Sequence, residues 1–271
     1  MNRLMKFHEA YKPLPAKVSQ QLLMVLDKNW KSFFEAVKAY KTDSSKFTGC
    51  AKLPKYKDKA KGRNLLVYAI KAISSKQSKK GIIKLSVTDF FIKTKVCFAQ
   101  TCQVRLVPKC KSYVIEVIYD EPESTASNPN SVASIDLGLE YLVALTSNQL
   151  GFTPLLINGR PLKSINQFYY KRSSQLQSQL KNNRKTSPRI PRLTGCRNQK
   201  VDNYLHHASR LIIEILTAKQ IGTLVIAKNA QWKTEIDLGK QTHQNFASIP
   251  HARLIEMLEY KARLVNSPDS F

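Results

Sequence analysis

SVASIDLGLEYLVALTS, residues 131–147, is the stretch on which the reading of the whole chain turns. Val132, Ala133 and Ile135 make an apolar strand running into Asp136, Leu137-Gly138-Leu139 supplies a turn, and Tyr141-Leu142-Val143-Ala144-Leu145 makes the return strand. The pattern predicts a hairpin with a carboxylate at its buried end. A carboxylate so placed suits a hard divalent cation such as Mg²⁺, because the metal offsets the cost of desolvating the charge. The same residues equally fit an Asp that starts the turn, with Gly138 taking a backbone angle that other residues avoid. Taken alone they leave both readings open.

Downstream of the hairpin, Gly151–Ile157 supplies a third strand. Residues 160–180 read as a helix with Ile165, Phe168, Tyr169, Leu176 and Leu180 facing inward, and Arg184–Arg192 reads as a basic loop broken by proline. Asp202–Lys219 is an amphipathic helix on Leu205, Ala208, Ile212, Ile215 and Leu216, closed by Gly222. Thr223-Leu224-Val225-Ile226-Ala227 is then a buried strand of the parallel-sheet kind. A polar loop with Trp232, Glu235 and Asp237 follows, and a last helix runs through Leu254, Leu258, Ala262 and Val265. Three strands, a helix, a strand and a helix is the opening order of an RNase H-like fold, in which the first strand delivers a carboxylate to a metal-assisted phosphodiester site.

Upstream, residues 16–41 form one amphipathic helix whose Val18, Leu22, Val25, Leu26, Trp30, Phe33, Val37 and Tyr40 read as core. Lys46 to Lys80 then holds eleven Lys or Arg and one acid, Asp58, interleaved with Phe47, Tyr56 and Tyr68, a mixture able to contact phosphates and stack on unpaired bases. From Ile82 to Tyr119 the period is two: 82–85, 90–96, 103–107 and 113–119 predict a small antiparallel, barrel-like sheet. The Pro-, Ser- and Asn-rich segment 120–130 is a linker. The expected organisation is a helical segment with a basic tail at 1–80, barrel strands at 81–121, a linker at 122–130 and a partial RNase H-like domain at 131–271. The fold class is mixed, α+β and α/β.

Charge narrows the function classes. The 271 residues carry 44 Lys and Arg against 19 acids, a net charge of +25, with a sequence pI near 9.9. Such a balance points to a polyanion partner. Between Tyr141 and Val201 there is no acid at all, while Arg160–Lys200 carries eleven cations. A phosphate backbone favours that arrangement, since each neutralised phosphate releases counterions. The expected nucleic-acid contacts are Lys52, Lys55, Lys57, Lys59, Lys61 and Arg63 in the first basic stretch. In the second they are Lys163, Lys171, Arg172, Lys181, Arg184, Lys185, Arg189, Arg192, Arg197 and Lys200. No apolar run approaches the roughly 18 residues of a spanning helix, and the N-terminus lacks a signal core, so a cytoplasmic protein without a membrane partner is expected. The five cysteines form no C-x-x-C pair and read as reduced thiols, with Cys97, Cys102 and Cys110 half-buried beside strands.

Several local runs resemble one family: IDLGLEYLVAL, the basic helix before NQKVDNYLHHASRL, LVIAKNAQWKTEIDLGK and QNFASIPHARLIEMLEYKARLV. The likeness continues upstream through HEAYKPLPAKVSQQ, NWKSFFEAVKAY and KLPKYKDKAKGRNLLVY. Together they resemble TnpB, the OrfB-type transposon-encoded protein related to the type V CRISPR effectors. The resemblance implies a helical recognition segment, a wedge-type β-barrel and a RuvC-like nuclease domain. It also implies a guide RNA, a DNA target and Mg²⁺-dependent cutting. Asp136 matches the family's first catalytic aspartate, a metal ligand.

The family's second catalytic group, commonly a Glu after the strand equivalent to 224–226, is here Ala227-Lys228-Asn229. A later strand, the zinc-ribbon CxxC pairs and the last catalytic Asp have no counterpart, and the first barrel strand would precede Met1. The expectation is therefore a copy truncated at both ends, without the ribbon's Zn²⁺ and deficient in cleavage. One Asp cannot hold two cations about 3.5 to 4 Å apart. Glu214, Glu235 and Asp237 read as solvent-exposed charges rather than further ligands. The alternatives are a non-catalytic nucleic-acid-binding regulator or a decaying remnant. An actin-like phosphotransferase shares IDLG but needs a second glycine-rich phosphate loop, which nine glycines do not supply here.

Overall fold

A computed structural model describes residues 5, 7–9, 11–58, 62–110, 112–121, 130–181, 184, 186–227 and 248–265. The chain divides into two compact units, Met1–Asp120 and Glu121–Phe271.

In the first unit, α1 (Ala16–Thr42) starts after Pro15, whose fixed φ suits a helix entry, and ends where Asp43 becomes extended. The Asp43 carboxylate accepts from the Ser45 amide at 3.0 Å and starts a single 3₁₀ turn, Ser44–Lys46. Strands β1 (Leu66–Ala69), β4 (Thr101–Lys109) and β5 (Ser112–Tyr119) form an antiparallel sheet in the order β1-β4-β5, with Leu66 opposite Leu106 and Leu106 opposite Ile115. A short α2 (Ser75–Ser78) leads into a separate two-stranded ribbon of β2 (Ile82–Lys84) and β3 (Phe91–Lys93).

The expected barrel does not close among the described residues. β2 and β3 are three residues each and hydrogen-bond to one another, and one bridge, Ile73 with Leu85, joins the ribbon to the chain before it. Strand β1 lies inside the stretch read as a basic tail and buries Tyr68, which removes that aromatic from any stacking role. Val18, Tyr68, Ala72, Ile73, Ile83, Leu85 and Val104 form one core, so the helical segment and the strands share it. Apart from Val18 and Ser19, α1 buries nothing fully: Leu26, Trp30 and Phe34 are exposed, and Trp30, Phe33 and Phe34 pack on one another with ring centroids 5.3 to 6.1 Å apart. Of the stripe expected to be core, Val18 is buried, Leu22, Val25, Phe33, Val37 and Tyr40 are half-buried, and Leu26 and Trp30 are exposed.

In the second unit, β6 (Val132–Leu137), β7 (Tyr141–Ser147), β8 (Leu155–Asn158) and β9 (Thr223–Ile226) form a sheet in the order β8-β7-β6-β9. The first three are antiparallel, and β9 returns parallel to β6 with Ile135 opposite Ile226. Between β8 and β9 lie α3 (Arg160–Ser178) and α4 (Arg189–Ala218), and α5 (His251–Val265) follows. Ala133, Ile135, Leu137, Val143 and Leu145 from the sheet share a core with Leu205, Ile212 and Leu216 of α4 and Leu254 and Leu258 of α5. At about 1.5–3 kcal/mol for each large side chain taken out of water, this core holds the unit together.

Three expectations need correcting here. α4 begins at Arg189, so Arg189 and Arg192 are helical rather than in a loop; Pro191 sits in the first turn, where an amide has no intrahelical partner to lose. Phe168 is exposed rather than inward-facing, because its neighbour Tyr169 occupies the inner side of α3 and bonds Thr194 Oγ1 at 3.2 Å. β9 is only partly buried, with Val225 exposed, because it is the outer strand of the described sheet and one of its faces is open. No described helix is long and apolar enough to cross a membrane.

Candidate functional site

Strand alternation decides where Asp136 goes. In VASIDL the apolar positions 133, 135 and 137 take the core face, so Ser134 and Asp136 must point the other way. Asp136 is exposed on the face opposite the helices, beside its cross-strand partner Ala144, with exposed Leu156 next along the same row. This corrects the expectation of a buried carboxylate: no desolvation cost calls for a metal to offset it.

The turn after Asp136 is held from two sides. His251, fully buried at the start of α5, places Nε2 3.2 Å from the Gly138 carbonyl, which can only accept, so Nε2 donates. The Gly159 amide donates to Glu140 O at 2.7 Å where β8 passes into α3. A Cβ on Gly138 would meet Tyr141 O at 2.8 Å, so backbone approach fixes that glycine.

Mg²⁺ requires several oxygen ligands, and a two-cation centre several carboxylates. Among the described residues no group of three or more His, Cys, Asp or Glu could hold a metal. Glu214 lies on α4 with its carboxylate 2.6 Å from Arg210 Nε, an exposed helical ion pair. Glu235 and Asp237 lie outside the described residues. The described residues therefore do not fit a two-cation centre. All five cysteines are free and exposed, which corrects the half-buried expectation. Cys102 donates to Asp120 Oδ2 at 3.0 Å, and that bond, with a smaller desolvation effect, pushes its thiol above the ordinary value.

The expected nucleic-acid contacts separate into engaged and available groups. Arg197 is engaged: Nε donates to Asn166 Oδ1 at 2.7 Å, Nη2 to Ser248 O at 2.9 Å and Nη1 to Asn198 Oδ1 at 3.0 Å, with Tyr169 5.9 Å away. Asn166 is itself buried, so the guanidinium satisfies a core amide and joins α3, α4 and the segment leading into α5. That removes Arg197 from the phosphate-binding set.

Arg63 is half-buried, donates to Ser112 O at 3.1 Å and lies 5.0 Å from the Tyr113 ring, while Lys57 Nζ donates to Arg63 O at 2.6 Å. Lys163 is half-buried on α3. Lys52, Lys55, Lys171, Arg172, Lys181, Arg184, Arg189, Arg192 and Lys200 are exposed, and Lys59, Lys61 and Lys185 lie outside the described residues. Most of the exposed group falls where the end of α3 leads into the beginning of α4. The first turn of α4 carries Arg189 and Arg192, no acid and no side-chain cap. Pro188 and Pro191 have no amide and the Ile190 amide donates to Ser187 O at 3.2 Å, so the positive potential there comes from the two cations and the helix dipole.

The sheet and this cationic helical junction define a mixed α/β protein with a carboxylate on an open sheet face. Residues 112–233 match the family OrfB_IS605, described as "Probable transposase". No curated protein matches the sequence. Two solved structures are similar at low identity. One is a Cas12f1-sgRNA-target DNA complex, with 15% identity and a TM-score of 0.40, covering 60% of this chain and 40% of that one. The other is a CRISPR-Cas12f ternary complex, with 16% identity and a TM-score of 0.43, covering 62% of this chain and 34% of that one. The chain thus spans well under half of either matched protein.

Proposed function

We propose that this protein is a nucleic-acid-binding member of the TnpB type that engages RNA and DNA through the α3–α4 cationic surface. In this reading the second unit is RuvC-like, and a guide RNA and a target DNA are its partners. The observation that carries it is the set of exposed cations around the α3–α4 junction, in an acid-free run inside the family-matched segment. Each phosphate neutralised there releases condensed counterions, so affinity should fall steeply with salt.

Asp136 stands where the family resemblance puts a catalytic metal ligand. Its exposure leaves it accessible to a cation, but among the described residues no group of three or more possible metal ligands forms around it. The reading is therefore of a binding protein that does not cut. The test is titration of a labelled structured RNA and a duplex DNA with the whole chain at several salt concentrations, followed by incubation with Mg²⁺ and a cognate guide. A log K against log salt slope of about −4 or steeper is expected, from five or so phosphate contacts, with intact DNA afterwards. A flat salt response would refute the binding reading. Cutting that Asp136→Ala abolishes would refute the reading of a protein that does not cut.

A further inference from the structure

The β2–β3 ribbon of the first unit lies outside both basic stretches that the sequence singled out, yet its two faces differ sharply. Ile83 pairs with Ile92 on the inner face, one in the core and the other packed against it. On the outer face Lys84 pairs with Phe91, and Ile82 with Lys93. Alternation along β3 thus sets an exposed ring between two lysines. Phe91 is 58% exposed, with Lys84 Nζ 5.0 Å from its ring centroid. At the tip, Phe90 is 60% and Val87 80% exposed, and Val87 has φ +60°, a left-handed conformation that a β-branched side chain resists. From Lys76 to Lys95 there are six lysines and one acid, Asp89.

We propose that this ribbon is a stacking platform for unpaired nucleotides, with Phe91 receiving a base and Lys84 and Lys93 the flanking phosphates. An exposed aromatic face in a cationic surround matches the two chemistries of a single strand, its base planes and its phosphates, whereas a duplex hides its base planes. The proposal rests on the nucleic-acid reading above for the class of ligand, but it uses a different unit and none of the α3–α4 residues.

The experiment measures binding of the whole chain to a fluorescein-labelled 20-nucleotide oligo(U), an oligo(dT) of the same length and a 20-base-pair duplex, beside Phe91→Leu and Phe91→Trp. A single strand carrying 2-aminopurine reports stacking directly. Phe91→Leu keeps an apolar side chain at an exposed position and should fold as the parent does, which urea denaturation verifies. It is expected to weaken binding to the single strands about 5- to 100-fold, the range of losing one stacked base, and to leave the duplex within about twofold. Phe91→Trp is expected to retain parental affinity and 2-aminopurine quenching. The RNA and DNA strands then show which sugar the platform accepts. Unchanged single-strand binding in Phe91→Leu, or equal weakening of single strand and duplex, would overturn the proposal. So would a parental self-association, seen by light scattering, that Phe91→Leu removes, because the ring would then be a protein contact. If the parent binds no probe, the nucleic-acid reading fails as a whole; if it binds with a steep salt slope regardless of Phe91, only the platform fails.

Discussion

Helices α1 and α4 both carry apolar residues on a helical repeat, and the fold treats them in opposite ways. α4 buries Val201, Leu205, Ala208, Ile212, Ile213 and Leu216, while α1 buries Val18 at its first turn and leaves Leu26, Trp30 and Phe34 exposed. Periodicity therefore reports that a helix has an apolar side, not that something covers it. The difference lies in neighbours: α4 packs on a sheet and on α3 and α5, whereas α1 meets strand β1 through its N-terminal turns.

Stability measurements can break this contrast. Leu205→Ala empties a fully buried site and is expected to cost about 3 kcal/mol. Leu26→Ala on α1 should cost less than about 1 kcal/mol. Urea denaturation of both variants decides the matter, and equal losses would mean that the α1 stripe is covered in solution.

A second pair sharpens the contrast between buried and open sides within α4. Arg197→Ala leaves the Asn166 amide oxygen without its donor and should lower stability by about 2 kcal/mol, with little change in the salt slope of binding. Arg192→Ala should leave stability within about 0.5 kcal/mol and reduce the salt slope by about 0.9.

The smallest expected effect is a pH dependence between α4 and α5. Partial desolvation, then the nearby Lys261 charge, lowers the His206 pKa below its ordinary 6.5 although the residue is exposed. The folded state then disfavours the charged imidazole, so stability is complete above 6.5 and declines as pH falls through the folded value. Replacing His206 with Gln should flatten that acid limb in thermal melts between about pH 7 and 5. An unchanged limb would show that another group carries it.

The hairpin at 132–147 was legible in the sequence because strand alternation and a turn glycine agree there. The same alternation, with residues 133, 135 and 137 on the core side, puts Asp136 on the open face, against the buried end expected of it. The first 13 residues of α4 were hidden by Pro188 and Pro191, which read as breakers although the start of a helix tolerates proline. β1 was hidden by its basic surroundings, although Leu65-Leu66-Val67-Tyr68-Ala69-Ile70 is a run of buried-strand length. Phe168 and Tyr169 both looked apolar, but neighbours on a helix lie about 100° apart and one core side took only Tyr169. Arg192 and Arg197 were indistinguishable in an acid-free run, yet five positions turn a helix by about 140°, which separates an open cation from a structural one. The ribbon around Phe91 was visible as a strand but not as a surface, because the side it shows depends on Ile83 and Ile92 facing the core.

The parallel pairing of β6 with β9 also has a consequence for how the protein is made. Ile135 waits for Ile226, 91 positions later by 226 − 135, before its outer edge is hydrogen-bonded. At ribosomal speeds of about 5–20 residues per second, that edge stays unpaired for several seconds while β7 and β8 already flank the other side. The nascent sheet is thus open to mispairing with neighbouring chains until β9 emerges, and slower decoding across residues 189–226 would lengthen that interval.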